Sequence, residues 1–252
     1  MSNKDKVKEA RLKEIDFWKE SEQERPNVHS VETILEKSSN AKIFLKSLSE
    51  ISNINLSEGS RVLEIGGGQG WASCVLKSLN PKINITTTDI SDDAISSIQI
   101  WENIFKSEID NKYACTADKT REKDEAIDFI FTFASAHHFI THRKALNEIN
   151  RILKVGGKCA YIFEPVTPAY LYSMAYKRVN RMRPEVPEDV LIISKLKSIA
   201  LDNGLRLETI YTPYFSNRTG IIGTVYYSIL YLMPFLQRLF PSTATLVFTK
   251  IS

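Results

Sequence analysis

The sequence predicts an α/β protein built on an open, mainly parallel sheet with helices on both faces. Three observations carry this expectation. Between about residues 58 and 165, short apolar or β-branched runs alternate with stretches of helical period, the pattern of right-handed βαβ units. The first apolar run leads into LEIGGGQGWA (63–72), which packs four glycines into ten positions. Glycine loses more backbone freedom on folding than any other residue, so such a turn implies that something approaches the backbone closely. Finally, 252 residues at 43% hydrophobic and 25% charged have the composition of an ordinary globular protein, with room for one large domain and insertions.

The elements follow in order. Residues 4–20 read as a charged helix with Val7, Leu12, Ile15 and Trp18 on one stripe, and two further helical stretches begin near Ser30 and at 41–51. RVLEIG (61–66) is a strand and 71–79 a helix; INITTTD (83–89) is a β-branched strand ending in an acid. SDDAISSIQIWENIF opens on Ser91 as a cap and reads as a helix. KYACTAD (112–118) and AIDFIFTF (126–133) are strands, and the amphipathic RKALNEINRIL (143–153) is a helix stopped by Gly156-Gly157. KCAYIFE (158–164) is a strand ended by Pro165, and 188–204 a helix ended by Gly204. LRLETIYTPY (205–214) and TATLVFTKI (243–251) lack a crossover helix between them and read as antiparallel edge strands. Residues 1–57 are expected to form a helical lid. Residues 58–252 form the main domain, with insertions at 165–187 and 216–242.

The glycine turn lies where an open parallel sheet binds ligands, beyond the carboxyl ends of its strands. Gly66, Gly68 and Gly70 are spaced G-x-G-x-G, with Glu64 two residues earlier. A dinucleotide fingerprint needs its third glycine at 71, which is Trp71, and no Gly-Lys-Ser/Thr of a phosphate loop follows. Asp89, at the end of the second strand, can accept from both hydroxyls of a ribose, and Asp118, ending the third, can meet an exocyclic amine. Alone, either carboxylate reads as a helix cap; at successive strand ends they describe an adenosine site without a pyrophosphate.

VLEIGGGQG, TTTDIS, CTAD, AIDFIFTF and LNEINRILKVGGKCAYI resemble, in order and spacing, the successive motifs of class I S-adenosylmethionine-dependent methyltransferases of the methyltransferase type 11-like kind. The resemblance covers about 58–165 and, more loosely, the edge strands. It implies a Rossmann-like seven-stranded sheet of order 3-2-1-4-5-7-6 with the last strand antiparallel, and S-adenosyl-L-methionine as cofactor. By resemblance, Glu64, Gly66, Gly68 and Gly70 surround the methionine moiety, and Asp89 binds the ribose. Ile90 packs on the adenine, Ala117 and Asp118 meet the base, and Phe133 and Ala134 line the sulfonium side.

Methyl transfer from an activated sulfonium asks the protein to orient the nucleophile and remove its proton. FASAHHFITH offers His137, His138 and His142. Adjacent residues of an extended chain point to opposite sides, so one of His137 and His138 should reach the pocket. His137 is the first choice, because similar methyltransferases often carry a polar residue there facing the transferred methyl. In the bland reading both pack or cap the next helix, with His142 on the surface. Glu164 is expected to point into the same cleft, to orient a histidine, bind a substrate hydroxyl, or bond backbone amides of the following loop. No metal is implied. Two other classes stay open: a nicotinamide-dependent oxidoreductase, opposed by Trp71, and a non-catalytic cofactor-binding partner protein.

The insertions should specify the acceptor, expected to be a small or lipid-linked molecule with a hydroxyl, with an amine or a carbon as the alternative acceptor atoms. The first is rich in tyrosine and holds Lys177, Arg178, Arg181 and Arg183, either a solvated face or a site for an anionic acceptor or membrane surface. The second carries no charge from Thr219 to Gln237 but is interrupted by Gly223, Thr224, Ser228 and Pro234. It is read as an apolar cap or a surface that dips into a bilayer, not as a spanning helix. A net charge of +3 opposes nucleic acid as main partner. Cys74, Cys115 and Cys159 have no metal-type spacing and read as small buried hydrophobes. The charged N-terminal stretch shows no export signal, so a cytoplasmic protein is expected, with peripheral membrane contact through 216–242.

Overall fold

A computed structural model describes residues 30–181, 188–213 and 220–251, together with Glu9, Leu12, Lys13, Ile15, Asp16 and Lys19 in helical conformation. The remainder of the expected N-terminal helix, including Val7 and Trp18, lies outside the described residues. Lys19 pairs with Asp93 at 2.8 Å.

The strands are β1 (Arg61–Ile65), β2 (Asn84–Asp89), β3 (Asn111–Ala114), β4 (Ile127–Phe133), β5 (Leu153–Thr167), β6 (Leu191–Ile192), β7 (Leu205–Tyr211) and β8 (Ser242–Lys250). The helices are α1 (Val31–Glu50), α2 (Trp71–Leu79), α3 (Asp92–Phe105), α4 (His142–Ile152), α5 (Tyr172–Val179), α6 (Ile193–Asp202) and α7 (Ile221–Leu232). One sheet runs β3-β2-β1-β4-β5-β8-β7, and β8 is antiparallel to both its neighbours. With the two-residue β6 set aside, this is the expected order 3-2-1-4-5-7-6.

Side chains alternate across the sheet, and that alternation builds two core layers. Leu63, Ile130, Tyr161, Leu246 and Phe248 face one layer with Leu146 and Ile149 of α4 and Leu196 of α6. Val62, Phe129, Phe131, Ile162 and Val247 face the other with Phe44, Trp71 and Trp101. Both faces are therefore buried, as a parallel sheet requires.

Four local expectations are corrected. The two helical stretches from Ser30 to Ile51 are one helix, capped by Ser30, whose side chain accepts from the Thr33 amide. The Ser38-Ser39-Asn40 run does not break it: Ser38 Oγ donates back to the Ile34 carbonyl at 2.7 Å and stays within the helical turn. Pro165 does not end its strand. A register irregularity between Tyr161 and Glu164, with Phe163 at φ 61°, re-aims β5 there, and Pro165 still faces Thr243 of β8. β3 ends at Ala114, so Ala117 and Asp118 sit in a turn rather than at a strand end. Finally, α6 starts only at Ile193, because Leu191 and Ile192 pair with Val166 and Thr167 of β5.

Candidate active site

A cleft opens at the carboxyl ends of β1, β2 and β4. Its walls are Ile65 and Gly66 after β1, Asp89 and Ile90 after β2, Cys115 to Asp118 after β3, and Ser135 and His138 after β4, closed by Phe139 to Thr141 and Ala145. Gly66, Asp89, Ile90, Ala117, Asp118 and His138 therefore meet in one place. Glu64, Gly68, Gly70, Phe133 and Ala134 are not in this lining.

Those five stand just behind it. Gly66 adopts φ 68°, and a Cβ there would lie 2.2 Å from Ser135 Oγ, so only glycine lets the turn pass the β4 loop. Gly68, at φ 54°, has open space where a Cβ would be, and its N–H donates to Asp89 Oδ2 at 2.8 Å. Asp89 Oδ1 accepts from the Ser91 N–H at 2.9 Å. The carboxylate thus ties the glycine turn to the start of α3. Gly70 begins α2 beside Ile98. Phe133 belongs to an aromatic cluster, edge-on to Trp71 and stacked on Phe163, and Ala134 (φ 47°) turns the chain toward Ser135.

Glu64 is 1% exposed beneath the glycine turn, where Ser73 Oγ donates to it. Burial, reinforced by the nearby Asp89 charge, pushes its carboxyl up to about 8. Cys74 and Cys159 are buried as expected. Cys115 departs from the expectation, being only half-buried on the cleft wall, and desolvation raises its thiol to about 11.

The histidines sit differently from their sequence reading. Ala136–His138 form a 3₁₀ turn, not extended chain, so the two rings lie side by side with centroids 4.2 Å apart. His138 borders the cleft, while His137, its side chain 9% exposed, bonds through Nδ1 to Glu164 Oε2 at 2.8 Å. Glu164 is fully buried and also accepts the backbone N–H of Ser135 (2.9 Å), Ala136 (2.8 Å) and His137 (3.1 Å). Orienting a histidine and holding the loop's amides are thus one arrangement. His142 is not on the surface. Both its ring nitrogens are buried without a hydrogen-bond partner among the described residues, packed by Phe139 and Tyr161, and desolvation lowers its pKa.

Sequence reading missed Glu188. His137, His138 and Glu188 each bring one donor atom within 4.8 Å of the others, an arrangement able to share a proton or accept a divalent cation. The Asn180 side chain holds the Glu188 backbone, accepting its N–H at 2.7 Å and donating to its carbonyl at 2.8 Å. Asp189, next in the chain, accepts from the Tyr172 hydroxyl at 2.8 Å. The signal available was an acid directly after the proline-flanked end of the first insertion.

A glycine turn tied to a carboxylate at the second strand end, in a sheet of this order, defines the class I methyltransferase fold. Residues 63–161 match the family model described as a methyltransferase domain, and the chain has the class I methyltransferase fold. No curated relative matches the sequence. Among solved structures it is similar to geranyl diphosphate C-methyltransferase from Streptomyces coelicolor, at 12% identity and TM-score 0.67 over 96% of this chain and 98% of that one. The YcgJ protein of Bacillus subtilis aligns at 20% identity and TM-score 0.59 over 85% and 99%. A phosphoethanolamine N-methyltransferase of Haemonchus contortus aligns at 16% and 0.60 over 83% and 52%.

Proposed function

We propose that the protein transfers a methyl group from S-adenosyl-L-methionine to a hydroxyl of a small or lipid-linked acceptor. The observation that carries this reading is the single cleft walled at one end by Asp89, Ile90, Ala117 and Asp118 and at the other by His138. The first group fits an adenosine: a carboxylate for ribose hydroxyls, two apolar side chains for the base, and an acid for its amine. The open space above Gly68 leaves room for the rest of the cofactor. When bound, S-adenosylmethionine supplies an electrophilic methyl on a sulfonium.

The chain's own groups then orient the acceptor and take up its proton. His138, not His137, has the position of the proton acceptor, since it borders the cleft. His137 is a positioning residue, fixed by Glu164, and Glu188 disperses the charge that His138 gains. As the acceptor oxygen bonds to the methyl carbon, the carbon–sulfur bond breaks and S-adenosylhomocysteine leaves. The hydroxyl proton passes to the His138 ring. The trio can do this as a relay without a metal.

Two structural neighbours are complexes with geranyl diphosphate and with phosphomonomethylethanolamine, both small phosphorylated acceptors, which supports a small or amphipathic acceptor here. Against the oxidoreductase reading, Trp71 begins α2 where a dinucleotide fold places its third glycine. Calorimetric titration tests the cofactor. S-adenosylhomocysteine should bind and NADH should not, and Asp89→Ala should weaken S-adenosylhomocysteine at least about tenfold, since bonds to a charged group contribute roughly 1.5–3 kcal/mol each. Unchanged affinity in Asp89→Ala overturns the ribose assignment, and NADH binding overturns the class of reaction.

A further inference from the structure

The two insertions meet and build one outer surface. The Tyr170 hydroxyl donates to the Leu239 carbonyl at 2.5 Å, and the Arg178 guanidinium lies 5.6 Å from the centre of the Tyr226 ring. Within α7 only Leu230 is buried. The turn that follows, Pro234–Arg238, is pinned under the helix by Gln237, whose side chain donates to the Leu230 carbonyl at 2.8 Å. The outward side is therefore preformed, and it is apolar: Ile221 is 83% exposed, Ile222 84%, Leu232 76% and Phe235 59%. About half of the large apolar side chains that stand exposed among the described residues fall between 221 and 240. Soluble proteins rarely leave so continuous an apolar patch uncovered without a function for it.

Charge says what covers it. Lys177, Arg178, Arg181 and Arg238 are exposed around this surface. The two insertions, 165–187 and 216–242, together hold six of the chain's 33 cations and one of its 30 acids, Glu185, so the rest of the chain is net acidic. A second copy seated by two-fold symmetry would set these cations against themselves, with a single acid in the two insertions to answer six cations. A phosphate-bearing lipid surface answers them directly. α7 has 12 residues, about 18 Å at 1.5 Å per residue, too short to cross a bilayer. No helix among the described residues is long and apolar enough to span one.

We infer that this surface docks the protein onto an anionic bilayer. Ile221, Ile222, Leu232 and Phe235 enter the acyl boundary, and Lys177, Arg178, Arg181 and Arg238 lie at the phosphates. The first insertion leaves the sheet at the end of β5, three residues past Glu164, and the second leads into β8 at Ser242, which pairs with Val166 of β5, so both emerge at the Glu164 end of the sheet and docking sets that end beside the lipid. This deepens the reading of a lipid-linked acceptor, yet its test does not depend on that reading, because the unliganded protein suffices.

Flotation with vesicles of phosphatidylcholine containing 30% phosphatidylglycerol, roughly an anionic inner-leaflet charge, is the direct assay. At low salt the wild-type chain should float with these vesicles, at least about tenfold less with pure phosphatidylcholine, and weakly at high salt. Ile222→Glu with Leu232→Glu, at exposed positions, should keep the wild-type melting temperature and lose at least about tenfold in binding. Lys177→Glu with Arg178→Glu should abolish the preference for anionic lipid. Absence of flotation at low salt overturns the inference. So does a wild-type dimer by light scattering that becomes monomeric in Ile222→Glu/Leu232→Glu, which would make the face a subunit interface. Vesicle binding with no S-adenosylhomocysteine affinity would leave the docking surface standing and remove the proposed reaction.

Discussion

Glu164→Gln is the most informative single change, because one buried carboxylate holds the whole histidine loop. Its Oε1 accepts two backbone N–H groups and its Oε2 accepts a third together with His137 Nδ1. A glutamine has one acceptor oxygen. If that oxygen keeps Ser135 and Ala136, the amide NH₂ faces the His137 N–H, donor against donor, in a site with no water access. The loss is at least one charge-assisted bond, and one buried N–H is left unpaired. At roughly 1.5–3 kcal/mol for the bond and 1–3 for the orphaned group, partly relieved by relaxation, the cost is about 2–4 kcal/mol. For a domain of this size each kcal/mol moves the melting temperature by about 2–4 °C, so a fall of roughly 5–15 °C is expected in a thermal melt. Glu58→Gln is the control: its pair with Lys82 at 2.9 Å is exposed on both sides and should shift the melt by no more than about 2 °C. A Glu164→Gln melt no lower than the Glu58→Gln melt would refute the claim that this carboxylate organises the loop.

Two further outcomes follow from the same geometry. Glu64 has a folded-state pKa raised to about 8 from 4.5, so its proton is held more tightly in the folded chain. Stability should therefore decline as pH rises from about 4.5 to 8, by at most about 1.4 kcal/mol per pH unit; urea unfolding at pH 5, 6.5 and 8 should show that decline flattened in Glu64→Gln, and equal slopes in both proteins would remove the burial argument. His138→Ala should retain S-adenosylhomocysteine affinity while slowing transfer of labelled methyl to an accepting alcohol by about 10²–10⁴, and near-normal transfer would move the proton elsewhere.

What the sequence disclosed and what it hid divide along a physical line. Features set within one strand–turn–helix unit were legible: the glycine turn, Asp89 at the end of β2, and the Ser91 cap on α3. Features set by contacts from elsewhere were not. The orientation of His137 and His138 depended on whether their segment was extended, and Glu164, 27 residues on, supplies the amide partners that wind it into a 3₁₀ turn. His142 looked like a first-turn surface residue because nothing local showed that Tyr161 of β5 would cover it. Glu188 reaches the histidines only because Asn180 and Tyr172 fold the first insertion back on itself.

β5 explains why these hidden features sit together. Its Glu164 side chain fixes the histidine loop while its backbone, bent at Phe163, continues past Pro165 into the first insertion, beyond which Glu188 stands beside the same histidines. The residues proposed to hold the cofactor hang from β1, β2 and the turn after β3, which this bend does not touch. A change in the length or chemistry of 165–187 should therefore alter which acceptor is admitted, and how His138 is charged, while leaving the Asp89–Gly68 tie in place. The strand whose Glu164 holds the histidine loop also leads into the basic first insertion, and its antiparallel partner β8 follows the apolar second one, so the proposed chemistry and the proposed membrane contact would be coupled through one strand pair rather than through a hinge.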